Sequence, residues 1–189
     1  SVVEDLAMAQ LAAGEYAEAE FSLRRLLSDE SYRLRRDLQH ARARCLRELD
    51  RLVEARRLLI DLTSDQAGQS DLQAWIALGR VAVRLEDERR VRDAGRRLFA
   101  MAPNRPEGHI LLALWKRGQG DLEGALEYAR TAVERSKRDA APALLLASLL
   151  TDLGRHEEAR SAVTLAASIE PNNPMVRRYQ TAVVPDDGQ

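Results

Sequence analysis

Apolar residues recur along this chain every three or four positions, in short blocks separated by glycine, proline or polar breaks. That spacing predicts amphipathic helices. The first block runs from Ser1 to Ala13, with Val2, Val3, Leu6, Ala7 and Leu11 on one face and Gln10 as the exception. Gly14 ends it, and a second helix from Glu15 carries Leu23, Leu26 and Leu27, closed by Ser28–Ser31. Arg33–Leu49 is the next helix, with Leu38, Ala41, Cys45, Leu46 and Leu49 on its buried stripe, paired with a helix carrying Leu52, Ala55, Leu58, Leu59 and Leu62. The stretch from Thr63 to Ser70 reads as the softest joint, with Ser70 or Asp71 capping the helix after it. Further pairs are expected over 71–85 with 87–101, 109–117 with 121–136, and 141–153 with 156–169. Pro171 and Pro174 precede one more short helix, whose contact residues are expected to be Met175, Tyr179 and Val183. Residues 185–189 read as a flexible tail.

The blocks repeat. Gly120 and Gly154 are 34 residues apart, as are Ala125 and Ala159, and Pro103 and Pro171 are separated by 68. A fixed period of this size marks a repeat architecture. Trp75, Leu78, Gly79 and Pro103 fall in one unit, Leu112, Ala113, Gly120, Leu122, Ala125 and Ala132 in the next, and Leu146, Ala147, Gly154, Ala159, Ala166 and Pro171 in the last. Gly14, Tyr16 and Ala19 repeat the turn pattern near the start. With this period and these residues the chain resembles the tetratricopeptide repeat family. Three positions depart from the family pattern, Asp50 and Glu86 where Gly is usual and Lys137 where Pro is usual.

The resemblance implies an all-α, right-handed superhelix of five helix pairs and a C-terminal capping helix. One solenoid domain over 1–184 is expected, with units of about 1–33, 34–69, 71–105, 106–139 and 140–173 and the cap over 174–184. The residue chemistry fits. Ala19, Ala55, Ala125 and Ala159 let the second helix of each pair lie close to the first. Gly14, Gly120 and Gly154 allow a reversal with positive φ, and Asp50 adopts that geometry through its short side chain. Glu86 does so poorly, so a differently shaped turn is expected there. Trp75 falls at the resembled family's large wedge position, which implies a packing role.

Composition narrows the function. Aromatics are only 4% of the residues, which suits thin stacked helices better than one wide core. The formal net charge of −1 gives no bulk attraction to nucleic acid or membrane. No apolar run approaches the roughly 20 residues that cross a bilayer. A single cysteine, Cys45, excludes an internal disulfide and sits on an apolar stripe, where it packs as a small hydrophobe. The compartment stays open, with the cytoplasm favoured slightly over the periplasm. The chain starts at Ser1 and reads as a piece of a longer polypeptide. All but two of its 29 basic residues are arginine, which suggests a bacterial source.

No chemistry of catalysis assembles in the sequence. His40, His109 and His156 fall in different units without metal-ligand spacing. Gly118-Gln119-Gly120 lacks the Lys-Ser/Thr end of a phosphate loop. The acids interleave with arginine at helical spacing, as on a solvated face. A non-enzyme without cofactor or metal is expected.

Members of the resembled family line a concave groove with the first helix of each pair. Carried onto this chain, the groove positions include His40, Arg44, Arg47, Gln73, Ile76, Arg80, Val83, Arg84, Ile110, Leu114, Arg117 and Leu144. Arg44, Arg47, Arg80, Arg84 and Arg117 form a basic band, and Ile76, Val83, Ile110, Leu114 and Leu144 an apolar floor. That pairing suits a protein or peptide with an apolar face and acidic edges. Stacking aromatics are missing from the groove set, so nucleic acid is disfavoured. The Asn residues of the family's carboxylate clamp are missing too, so that activity is not carried over. Charge is uneven: Ser1–Glu30 has seven acids against two arginines, and Arg33–Arg57 nine arginines against four acids. This leaves two alternatives to a binding scaffold. One is a structural spacer or self-association domain, the other a substrate-recruiting domain of a larger enzyme.

Overall fold

The computed structural model describes residues 1–183, and among them there are twelve helices and no strand. They are α1 (Val2–Ala13), α2 (Tyr16–Leu26), α3 (Arg36–Glu48), α4 (Leu52–Ser64), α5 (Gln66–Gln69) and α6 (Leu72–Arg84). The others are α7 (Glu88–Met101), α8 (Pro106–Gly118), α9 (Leu122–Arg135), α10 (Ala141–Asp152), α11 (His156–Ile169) and α12 (Pro174–Val183). The tail expected over 185–189, residue 184 of the cap and the side chain of Val183 lie outside the described residues. The chain gathers into two compact units, Ser1–Arg90 and Val91–Gln189.

In the first unit α3 packs on both of its sides. Ala41 and Cys45 of α3 pack with Ala7, Leu11, Ala19 and Leu23 of α1 and α2. Ala43 and Leu46, on the other side of α3, pack with Ala55 and Leu59 of α4 and Ala74 and Leu78 of α6. No pair buries its own stripe alone, which is the logic of a repeat stack. Ala19 and Ala55 are fully buried. Burial pushes the Cys45 thiol above its ordinary range, assisted by the nearby Glu20 carboxylate, so this sulfur is structural.

The second unit packs in the same way. Ala113, Ala125, Ala129, Ala147, Leu149 and Ala159 share one core across α8 to α11. Gly95 and Gly108 bring α7 against α8: a Cβ on Gly108 would lie 2.7 Å from the Phe99 backbone nitrogen. Under α12, Val176 is fully buried against Ala140, Ala143, Leu144 and Ala166, with Tyr179 partly buried beside them.

Four expectations change. Val2, Val3 and Leu6 were expected on the packed face of α1, but they are exposed, and only Ala7 and Leu11 go inward. Met175 is 48% exposed, and Val176 takes the contact expected of it. The joint over 63–70 is not soft. The Asp65 carboxylate accepts from the Gly68 N–H, Thr63 is buried, and the Trp75 indole Nε1 donates to the Gly68 carbonyl at 3.0 Å. Asp71, not Ser70, caps α6, accepting from the Ala74 N–H at 3.0 Å.

The fourth concerns Glu86. Its φ is +53°, the same left-handed turn as Gly14, Asp50, Gly120 and Gly154. In all five, the residue with positive φ donates to the carbonyl three before it. The next residue donates to the carbonyl five before. At Glu86 these bonds run to Val83 and from Asp87 to Ala82. This is the helix-ending motif glycine usually serves. The two hydrogen bonds and the packing of the pair hold the geometry although a side chain opposes it.

Acids and arginines also depart from a purely solvated face. Many reach across repeats instead. Arg35 reaches Glu4, Arg51 reaches Glu20 and Arg56 reaches Asp87, each across 31 residues. Glu20 is only 3% exposed, and its two oxygens accept from Arg42 at 3.1 Å and Arg51 at 3.0 Å.

Candidate binding site

Helical spacing places His40, Ala43, Arg44 and Arg47 along one face of α3, and Gln73, Ala77 and Arg80 along one face of α6. Together with Asp71 these residues line an open cleft of about 500 Å³ in the first unit. Ala43 and Ala77, with no side chain beyond Cβ, leave the space that the longer neighbours border. Five residues of the sequence-derived set therefore share one opening: His40, Arg44, Arg47, Gln73 and Arg80.

The charges in and around this cleft are arranged unevenly. The Asp71 carboxylate takes Arg36 Nη2 and His40 Nε2, both at 2.8 Å. Its burial alone would raise its pKa, but the Ala74 N–H, Arg36 and His40 outweigh that and hold it below the ordinary carboxylate range. Arg47 pairs with Glu48 at 2.8 Å. Arg84 pairs with Asp50 at 2.6 Å and also donates to the Arg47 carbonyl, so it ties two repeats together. Arg44 and Arg80 are exposed and make no ion pair among the described residues. The negative charge within the cleft is neutralised, and two guanidiniums remain available.

Other members of the set fall elsewhere. In the first unit Ile76 is buried and Val83 half-buried. In the second, Ile110 and Leu114 are half-buried, Arg117 pairs with Asp152 at 2.8 Å, and Leu144 is buried beneath the cap. Asp71 was read from the sequence only as a cap. Its second role, orienting His40 and Arg36, depends on a helix start reaching a neighbouring helix across 31 and 35 residues, which local spacing does not reveal. Ala43 and Ala77 were also missed, although each lies beside or three to four residues from an arginine of the band.

Among the described residues no group of three or more His, Cys, Asp or Glu is placed to hold a metal ion. No helix among them is long and apolar enough to cross a membrane.

Comparison with known proteins bears on the fold. Residues 116–183 match the family model described as the tetratricopeptide repeat. A comparison with curated proteins gives no match. Among solved structures, the chain is similar to TTC0263, described as a thermophilic TPR protein in Thermus thermophilus. The TM-score is 0.74 and the identity 18%, over 95% of this chain and 96% of that one. It is also similar to MamA residues 41 to the end from Desulfovibrio magneticus RS-1, with a TM-score of 0.73 and 17% identity, over 92% and 96%. A third is YrrB, described as a TPR protein with an unusual peptide-binding site, with a TM-score of 0.66 and 16% identity over 94% and 89%.

Proposed function

Starting from a tetratricopeptide-repeat fold, with the repeat itself matched over residues 116–183, we propose that this chain is a protein-binding scaffold. In this reading the cleft between α3 and α6 receives a segment of the partner with an apolar face and acidic edges. One observation carries it: Arg44 and Arg80 face a common opening without ion-pair partners, while Arg36, Arg42, Arg47 and Arg84 are all paired. Guanidinium forks grip carboxylates with directional bonds. The peptide-binding site of YrrB supports peptide recognition as a use of this fold.

The test is a double charge reversal, Arg44→Glu with Arg80→Glu, against the wild-type chain in affinity capture. Partner retention should fall about tenfold or more, and raised salt should mimic the loss. Arg84→Glu is the control. It breaks a bond between repeats and should lower stability more than capture. Equal retention by wild type and the Arg44/Arg80 double variant overturns the reading.

Self-association is a second reading, favoured by Val2, at 84% exposed, and Leu6, at 52%, on the outward face of α1. Light scattering of the intact chain over a concentration series separates it from partner binding.

A further inference from the structure

The second unit has its own opening, of about 390 Å³, bordered by Phe99 of α7, His109 and Lys116 of α8, and Glu127 and Tyr128 of α9. His109 is 5% exposed. Its Nε2 lies 3.0 Å from the Pro103 carbonyl oxygen, which only accepts, so Nε2 carries the proton. Nδ1 is then a bare acceptor, and it is buried with no hydrogen-bond partner. Native folds leave few buried polar atoms in this state, and each such atom calls for a cause.

The surroundings indicate what is missing. The Phe99 ring stands edge-on to the imidazole at 5.2 Å, and the Tyr128 ring lies 6.2 Å away. The Lys116 ammonium is already answered by Asp121 at 2.6 Å. Glu127 is exposed and forms no salt bridge among the described residues. What the opening still offers is a lone pair, a carboxylate and two aromatic rings. All three attract a cation that carries N–H donors. A guanidinium fits better than an ammonium. It is planar, stacks on aromatic rings and presents several donors in a fork, so it can reach His109 and Glu127 together.

We propose that this opening is a site for an arginine side chain of a partner protein. Its guanidinium donates to His109 Nδ1 and to the Glu127 carboxylate and stacks on the aromatic wall. Nδ1 is buried in this structure, so binding requires a neighbouring side chain to move. Phe99, 42% exposed and standing against the imidazole, is the one free to do so, leaving Tyr128 as the stacking wall. The site goes beyond the α3–α6 cleft. It lies in the other unit and selects the opposite charge, so either proposal can fail without the other.

The test uses the full chain, labelled with ¹⁵N at its three histidines, and N-acetyl-arginine amide as the probe. The His109 Nδ1 resonance should move saturably while those of His40 and His156 stay. N-acetyl-lysine amide should bind more weakly, and N-acetyl-citrulline amide, which keeps donors but has no charge, more weakly still. Glu127→Gln, an exposed position with no side-chain bond to lose, should weaken binding about tenfold. A His109 signal that fails to saturate, or one that responds equally in Glu127→Gln, overturns the proposal.

Discussion

Glu86 in the first unit and Gly120 in the second hold the same turn, at φ of 53° and 76°, closed by the same two backbone bonds. The residue types differ and the geometry does not. The contrast extends through the two units. The second keeps glycine at both its turns and a core of alanine and leucine, and the family model matches there, over 116–183. The first uses Asp50 and Glu86 for two of its three turns and ties its repeats with Glu20–Arg51, Arg36–Asp71 and Arg84–Asp50. A repeat is thus defined by backbone conformation and close approach. Its consensus residues are one way of meeting that requirement.

The largest break in this comparison is at Glu20. Replacing Arg42 and Arg51 together by Met leaves a carboxylate that is 3% exposed without either partner. The expected loss is about 3 kcal/mol, because an uncompensated buried charge costs far more than an exposed one. Each unit contains one tryptophan, Trp75 in the first and Trp115 in the second, so each can be followed alone after the other is changed to Phe. Urea unfolding read at Trp75 should show the loss. Adding Glu20→Met to the double variant should recover much of it, since apolar residues of similar volume often replace a buried ion pair at little cost. No recovery would mean that the ions specify the packing of α2 on α3.

Much of the first unit was legible in the sequence because helix period and turn spacing survive substitution. The helices α1 to α4 and α6 and the turns at Gly14 and Asp50 come from that. The remainder needed contacts at a distance. Glu20 lies among acids on a segment that reads as polar, and only its place against Arg42 and Arg51 makes it internal. The cap failed for a different reason. Met175–Tyr179 and Val176–Tyr179 are both same-face spacings on a helix, and the choice between them is made by Ala140, Ala143 and Leu144 beneath. The arginine cleft was half legible. The groove positions carried over from the resembled family put Arg44 and Arg80 together, but whether an arginine is already paired is set by neighbours such as Asp50 and Glu48.

A smaller effect sharpens the turn comparison. A Cβ on Gly120 meets nothing within 4 Å, so Gly120→Ala tests backbone conformation without a clash. It should destabilise by about 1 kcal/mol, the usual cost of placing a side chain at left-handed φ. Glu86→Gly should do the reverse. Relief of that cost, less the added freedom of the unfolded chain, leaves a gain of about 0.5 kcal/mol. Thermal melts of the two variants should move in opposite directions. A fall for Glu86→Gly would show that its side chain contributes more than the turn loses.

The smallest effect concerns acid. In the first unit Asp71 and Asp87 are mostly buried, at 13% and 14% exposed. Burial would raise both, but at Asp71 the Ala74 N–H, Arg36 and His40, and at Asp87 the Arg90 N–H and side chain with Arg56, hold them below the ordinary range. A carboxylate depressed in the folded state stabilises it at any pH above its unfolded value, about 3.9. That stabilisation is lost as pH falls through the lower, folded value. In the second unit the depressed carboxylates Asp121 and Glu158 are exposed and screened by solvent, and Glu170, half-buried, is held down by the Asn173 side chain and the Ala140 N–H without an ion pair, so their share is smaller. The urea midpoint read at Trp75 should therefore fall more steeply below about pH 4 than that read at Trp115. Asp71→Asn with Asp87→Asn should flatten the first slope and leave the second alone. The amide oxygen at position 71 can still accept from the Ala74 N–H, so what the variant removes is the charge. If both slopes are equal before substitution, the ion pairs between repeats contribute nothing that distinguishes the first unit from the second.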